Sequence, residues 1–97
     1  MTDFSIIDKN AVISKNVKIG PFCKIGKNVT IGKNCVLHSH ICIDGKVSIG
    51  DNTEIFPYVS IGSIPQDLKY KGEKTSIKIG NNCKIREYVT INLGTDG

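Results

Sequence analysis

An aliphatic side chain recurs at a spacing of six thirteen times along this chain. The core face of a helix would need a period near 3.6, and six is not a multiple of that period. Such a hexad repeat is typical of a parallel β-helix. The positions are Ile7, Ile13, Ile19, Ile25, Ile31, Leu37, Ile43, Ile49, Ile55 and Ile61, followed after an interruption by Ile79, Ile85 and Ile91.

A second apolar column lies two positions before the first. Alternate residues of a strand face the same side, so both columns are predicted to point inward. The residue between them is polar in most hexads, with Val12, Val36 and Cys42 as exceptions. Three hexads close one coil, which predicts an all-β prism with three sides per coil and a little over four coils. The second column is Val17, Cys23, Val29, Cys35, Ile41, Val47, Val59, Ile77, Cys83 and Val89.

The residues after each strand are predicted to turn the corners of the prism. Glycine follows the aliphatic column in six hexads, and we expect positive φ there because only glycine adopts it freely. Asparagine stands two positions later in four hexads, and it also tolerates the left-handed region. The glycines are Gly20, Gly26, Gly32, Gly50, Gly62 and Gly80, and the asparagines are Asn28, Asn34, Asn52 and Asn82.

The composition restricts the class of protein. Aromatic residues make up only 6% of the chain and tryptophan is absent, which favours an aliphatic rod over a conventional globular core. No apolar run approaches the length of about 20 residues that a membrane-spanning helix needs, so no membrane span is expected. Polar residues follow Met1, which argues against a signal peptide and for the cytoplasm.

The four cysteines are interpreted as free thiols. Cys23, Cys35 and Cys83 fall in the inward column, where cysteine acts as a small hydrophobe. Their spacings match no zinc-ligand pattern, and no metal site is predicted. Cys42 falls in the outward column and is the candidate reactive thiol.

The net charge of +4 includes lysines that share corner columns. Lys9 and Lys27 are predicted to lie one above the other, as are Lys15 and Lys33. Such a column is either a solvated face or a basic surface for an acidic protein. Nucleic acid is not an expected partner, because no aromatic residues alternate with the lysines.

The hexad pattern fails between Ile61 and Ile79, where its expected positions hold Asp67 and Glu73. Ile61 and Ile79 are 18 positions apart, which is one hexad plus an excursion of two further hexads. The strands after the excursion should therefore resume the hexad register. We expect a loop over residues 62–76 that projects from a single β-helix domain over residues 1–97. Long loops of this kind are usually functional.

The residues on both sides of this break resemble a known enzyme family. The sequence QDLKY in the loop, followed by IREYVTIN and GT, is similar to the UDP-N-acetylglucosamine O-acyltransferases that begin lipid A synthesis. The resemblance extends from about Ile13 to the end of the sequence. The loop distinguishes this family from the related N-acyltransferases of acylated UDP-glucosamine, which share the hexads but not the loop.

The resemblance implies a left-handed parallel β-helix that assembles as a homotrimer, with sites between neighbouring prisms. It implies transfer of a 3-hydroxyacyl chain from acyl carrier protein to the sugar 3-hydroxyl of UDP-N-acetylglucosamine. A histidine would act as the general base, and a backbone N–H would stabilise the thioester oxyanion. The family uses no metal or diffusible cofactor, since the acyl chain arrives on the phosphopantetheine of the carrier.

The family's functional positions carry over in part. Gln66, Asp67 and Lys69 match loop positions that contact the nucleotide sugar. Asn92 is a possible substrate contact, although family members often carry His and Arg where Asn92 and Leu93 stand here. The family's catalytic histidine lies downstream of Gly97, together with further coils and a helical domain. No catalytic residue is therefore assigned within this sequence, which is expected to be inactive alone.

Other interpretations remain open at this stage. His38 and His40 fall near one corner, and a role in the fold or the trimer is favoured over a role as catalytic base. The alternative functions are a hexapeptide-repeat sugar-nucleotide N-acetyltransferase and a non-catalytic β-helix module. The QDLKY loop argues against the acetyltransferase.

Overall fold

The computed structural model describes residues 4–63 and 76–92, and these form thirteen short strands without a helix. The strands fall into three parallel sheets, which are the three walls of a prism. The first sheet holds β1 (Ile6–Ile7), β4 (Lys24–Ile25), β7 (Cys42–Ile43), β10 (Ser60–Ser63) and β13 (Thr90–Asn92). The second holds β2 (Val12–Ile13), β5 (Val29–Ile31), β8 (Val47–Ile49) and β11 (Ile77–Ile79). The third holds β3 (Lys18–Ile19), β6 (Val36–Leu37), β9 (Glu54–Ile55) and β12 (Lys84–Ile85).

The strand register confirms the predicted coil of three hexads. In the first sheet Ile7 pairs with Ile25, Ile25 with Ile43, and Ile43 with Ile61. Across the break Ile49 pairs with Ile79, five hexads further along the chain, which is one coil and the predicted excursion of two hexads. Thirteen strands at three per coil give a little over four coils, as expected.

The two predicted columns form the core. Ile31, Ile43, Ile55 and Ile61 have no exposed surface, and the neighbouring column positions in the central coils are buried as well. The three apolar residues at outward positions do point outward, since Val12 is 56% exposed and Val36 and Cys42 are half-buried. Among the described residues one buried side chain is polar. Thr53 occupies an inward site, and its hydroxyl donates a hydrogen bond to the carbonyl oxygen of Gly80 at 3.0 Å. Burial of this hydroxyl is therefore compensated.

The explanation of the corner glycines by positive φ was wrong for five of the six. Among them only Gly62 has positive φ, at 81°. At Gly20 a Cβ would overlap the carbonyl oxygen of His38 in the next coil, and at Gly32 it would collide with the backbone of Gly50 and Asp51. At Gly20, Gly32 and Gly50 glycine is needed because adjacent coils approach closely, not because of the local backbone angle, whereas Gly80 has no such neighbour among the described residues.

The left-handed backbone lies instead two positions later. Asn34, Asn52 and Asn82 have φ of 62°, 58° and 60°, as predicted, whereas Asn28 does not have positive φ. These asparagines share the corner between the second and third sheets. The corner between the third and first sheets has the same left-handed geometry, but there it is occupied by Phe4, Phe22, His40, Tyr58 and Tyr88.

Candidate functional site

The segment that carries the predicted substrate contacts leaves the prism at the corner between the first and second sheets, here called the loop corner. Gly62, at the end of the first-sheet wall, is buried and has positive φ, and a Cβ there would overlap the carbonyl oxygen of Asp44 in the coil before it. The chain re-enters the wall at Ile77, whose N–H donates to the carbonyl oxygen of Lys46 at 2.9 Å. Both ends of the excursion are thus fixed to one neighbouring coil.

Strand β10 extends into the segment that was assigned to the loop, because Gly62 and Ser63 belong to it. Gln66, Asp67 and Lys69 lie outside the described residues, as does Leu93, so their predicted roles stay predictions. Asn92 is the terminal residue of β13, and its backbone pairs with that of Ser63 after a register shift next to Ile61. The fold therefore brings the possible substrate contact to the root of the loop, a neighbourhood that sequence spacing alone did not reveal.

The two histidines lie elsewhere, at the corner between the third and first sheets, here called the aromatic corner. His40 stacks between Phe22 and Tyr58, with ring centroids 5.1 and 4.8 Å away. The stack continues from Phe22 to Phe4 and from Tyr58 to Tyr88, at 5.6 and 5.5 Å. Sequence reasoning missed this row of five rings, although its members are spaced by three hexads, and by five across the break.

His38 belongs to a second stack on the same corner. Its Nε2 lies 2.7 Å from Oε2 of Glu54, and its ring lies on that of Phe56 at 4.9 Å. The guanidinium of Arg86 covers the Phe56 ring at 4.0 Å from its centroid, a favourable cation–π contact. These contacts support the structural interpretation of both histidines. They flank the first sheet on the side away from the loop corner.

The cysteines lie where the columns place them. Cys23 and Cys35 are buried, and Cys83 in the last described coil is half-buried. Burial raises the pKa of the Cys23 and Cys35 thiols, which keeps both protonated and unreactive at neutral pH. The Cys35 thiol donates to the carbonyl oxygen of Gly50 at 3.1 Å. Cys42 points outward from β7, and its reactivity stays a prediction.

The described residues contain neither a cluster of metal-ligand side chains nor a membrane-spanning helix. Over residues 4–63 and 76–92, no three side chains of the His, Cys, Asp and Glu types come together as metal ligands would. In the same part of the chain, no helix is long and apolar enough to cross a membrane.

Comparison with known proteins gives consistent results. Residues 10–40 match the family model of the bacterial transferase hexapeptide (six repeats). The chain is 48% identical over 59 residues to the acyl-[acyl-carrier-protein]–UDP-N-acetylglucosamine O-acyltransferase of Azorhizobium caulinodans, and 60% identical over 55 residues to that of Thermodesulfovibrio yellowstonii. These matches cover 61% and 57% of this chain but only 22% and 21% of the relatives.

Solved structures agree over nearly the whole chain. A UDP-N-acetylglucosamine acyltransferase from Bacteroides fragilis superimposes with a TM-score of 0.91 and 45% identity, covering 98% of this chain and 37% of that one. LpxA from Acinetobacter baumannii gives a TM-score of 0.89 and 52% identity, covering 96% and 36%. The likeness confirms the left-handed parallel β-helix and the resemblance seen in the sequence. The chain spans a little over a third of these solved structures.

Proposed function

We propose that this chain is part of an acyltransferase that moves a 3-hydroxyacyl chain from acyl carrier protein to the 3-hydroxyl of UDP-N-acetylglucosamine, the first step of lipid A biosynthesis. The observation that carries the proposal is the superposition on a UDP-N-acetylglucosamine acyltransferase over 98% of this chain at 45% identity. Shared hexads alone would give a common fold, whereas identity at this level also extends to residues outside the inward columns.

The chemistry of the loop suits this substrate. Asp67 can accept hydrogen bonds from sugar hydroxyls, and Lys69 can pair with a phosphate oxygen of the diphosphate. Gln66 offers both a donor and an acceptor beside them. Asn92 is proposed as a further substrate contact, and the pairing of its backbone with that of Ser63 at the loop root supports this assignment. The acyl group arrives activated as a thioester on the carrier, so the proposed reaction uses no metal or diffusible cofactor. We propose the cytoplasm as the location of this reaction.

A test of the proposal is to measure acyl transfer by the protein that carries this sequence. With 3-hydroxyacyl carrier protein and UDP-N-acetylglucosamine, Asp67→Ala and Lys69→Ala should each lower kcat/KM about tenfold or more, since each removes a charge-assisted hydrogen bond. Lys84→Ala, which removes an exposed lysine of the third sheet, is the matched control and should retain activity. Both loop variants should keep the strand-rich circular dichroism spectrum.

Two outcomes would contradict the acyl-transfer proposal. One is transfer of acetyl from acetyl-CoA to a UDP-amino sugar with no transfer from acyl carrier protein, which would favour the N-acetyltransferase alternative. The other is absence of both activities in the protein that carries this sequence, which would favour a non-catalytic β-helix. Full activity in both loop variants would show that Asp67 and Lys69 were wrongly assigned.

We also propose a homotrimer, and the aromatic corner supports it. Phe4, Phe22, Tyr58 and Tyr88 are 52–78% exposed and His40 stacks between them, so the prism presents a continuous aromatic edge rather than scattered apolar residues. Sedimentation should give a mass of three chains, and Tyr58→Asn should shift it toward the monomer. Asn suits this exchange because it tolerates the left-handed backbone at that corner. Val12→Ser, at a similarly exposed position on the second sheet, should leave the trimer intact. A monomeric parent chain, or equal effects of the two variants, would contradict this assignment.

A further inference from the structure

A shallow pocket of about 160 Å³ lies on the outer surface of the second sheet, next to the loop corner. Its lining residues belong to three neighbouring strands, β5, β8 and β11, or directly precede them. Six polar residues line it, namely Asn28, Thr30, Lys46, Ser48, Ser76 and Lys78. A cavity needs a volume of about 10–15 Å³ to hold one water, so this pocket has room for a group of several non-hydrogen atoms.

The register arranges four of these residues as a square. Ser48 pairs with Lys78, and Val47 with Ile77, so Lys46 and Ser76, which directly precede β8 and β11, lie side by side. Ser48 and Lys78 lie on the outer face, because alternate residues of a strand face opposite sides and their neighbours Val47 and Ile77 belong to the inward column. Lys46 and Ser76 are exposed directly before these strands. The two lysines occupy one diagonal and the two serines the other. Diagonal neighbours in a sheet are about 7–8 Å apart, a distance that two lysine side chains readily close around one small group.

Among the residues that the structure describes, no acidic side chain balances the two positive charges of this square. Within residues 4–63 and 76–92, neither lysine ammonium forms an ion pair with a carboxylate. Asp44 is the acidic residue nearest in the sequence to Lys46, and its Oδ1 accepts the N–H of Gly45 at 2.8 Å. Two like charges on neighbouring strands repel each other, and an anion between them would turn that repulsion into attraction.

We propose that the square of Lys46, Ser48, Ser76 and Lys78 binds the phosphate group of a small ligand. Two ammonium groups supply six N–H donors and the serines supply two O–H donors, which together match the several acceptor oxygens of a phosphate. Asn28 and Thr30 line the same pocket, and their amide and hydroxyl groups can contact the group attached to that phosphate. None of these residues belongs to the set Gln66, Asp67 and Lys69 that is proposed above to contact the nucleotide sugar.

Titration of the isotopically labelled chain with inorganic phosphate tests this binding by NMR, with sodium chloride at equal ionic strength as the reference. We expect saturable shifts confined to Lys46, Ser48, Ser76, Lys78 and their strand neighbours. Lys46→Ala and Lys78→Ala should each weaken binding about tenfold, as loss of one charge-assisted contact predicts. Lys84→Ala removes an exposed lysine from the third sheet and should leave the binding constant unchanged.

The same titration with UDP and with 4′-phosphopantetheine identifies the source of the phosphate. Tighter binding of UDP than of inorganic phosphate would assign the square to a nucleotide, and tighter binding of phosphopantetheine would assign it to the carrier's prosthetic arm. Shifts that chloride reproduces, or an equal loss of affinity in Lys84→Ala, would overturn the proposal. The measurement needs no turnover, so its failure would leave the acyl-transfer proposal standing.

Discussion

Replacement of Ile43 by Ala should lower the free energy of unfolding by about 2–5 kcal/mol, whereas Ile43→Val should lower it by about 0.5–1.5 kcal/mol. Ile43 has no exposed surface and lies in the middle of the prism. Its strand pairs on one side with that of Ile25 and on the other with that of Ile61. Truncation to Ala would open a cavity that the flanking strands cannot close without breaking their register. We therefore expect a loss of free energy in the upper part of this range.

Urea denaturation followed by circular dichroism measures this effect. The matched control is Lys24→Ala in the neighbouring strand of the same sheet, where the side chain is exposed and the expected change stays within about 0.5 kcal/mol. The slope of the free energy against urea should be the same in all variants, since all unfold the same surface. Comparable losses in Ile43→Ala and Lys24→Ala would mean that the inward and outward faces have been assigned the wrong way round.

The spacing of six predicted the fold well because it acts through two simple constraints. Alternation along a strand selects the face, and closure after three hexads selects the partner one coil away. The pairing of Ile7, Ile25, Ile43 and Ile61 follows from these two constraints alone. Even the restored pairing of Ile49 with Ile79 follows, because the excursion is two whole hexads long.

The corners could not be predicted in the same way, because their chemistry depends on contacts between coils. Whether Gly20 needs its conformational freedom or its small size is decided by His38, one coil later. The aromatic corner was missed for a related reason. Phe22 and Tyr58 occupy a left-handed position for which asparagine or glycine would be expected, and stacking between coils accompanies that geometry.

The candidate site was predicted less completely than the fold. The periodic pattern places the ends of the loop but says nothing about the residues within it, so Gln66, Asp67 and Lys69 were assigned by resemblance. The position of Asn92 beside Ser63 emerged only from the register shift at the end of β10. The placement of Lys46 beside Ser76 across the break likewise required the register, since five hexads of sequence separate them.

Replacement of Gly62 by Ala should lower the free energy of unfolding by about 3 kcal/mol or more. Two independent effects act together at this position. The backbone has φ of 81°, which costs an L-residue about 1–2 kcal/mol. The added Cβ would also overlap the carbonyl oxygen of Asp44, a residue whose own N–H is bound to the carbonyl oxygen of Ile61 at 3.0 Å. The neighbouring coil therefore cannot retreat without giving up its pairing.

Gly80→Ala is the matched control for Gly62→Ala, because Gly80 follows the same aliphatic column but lacks positive φ. Within residues 4–63 and 76–92, no heavy atom of another coil lies within 4 Å of the added Cβ. At that position alanine should change the free energy of unfolding by no more than about 0.5 kcal/mol, or raise it slightly by restricting the unfolded chain. Urea midpoints of the two variants give the comparison directly. A Gly62→Ala midpoint equal to that of Gly80→Ala would show that the loop corner can relax, and that the start of the loop is not fixed by the coil beneath it.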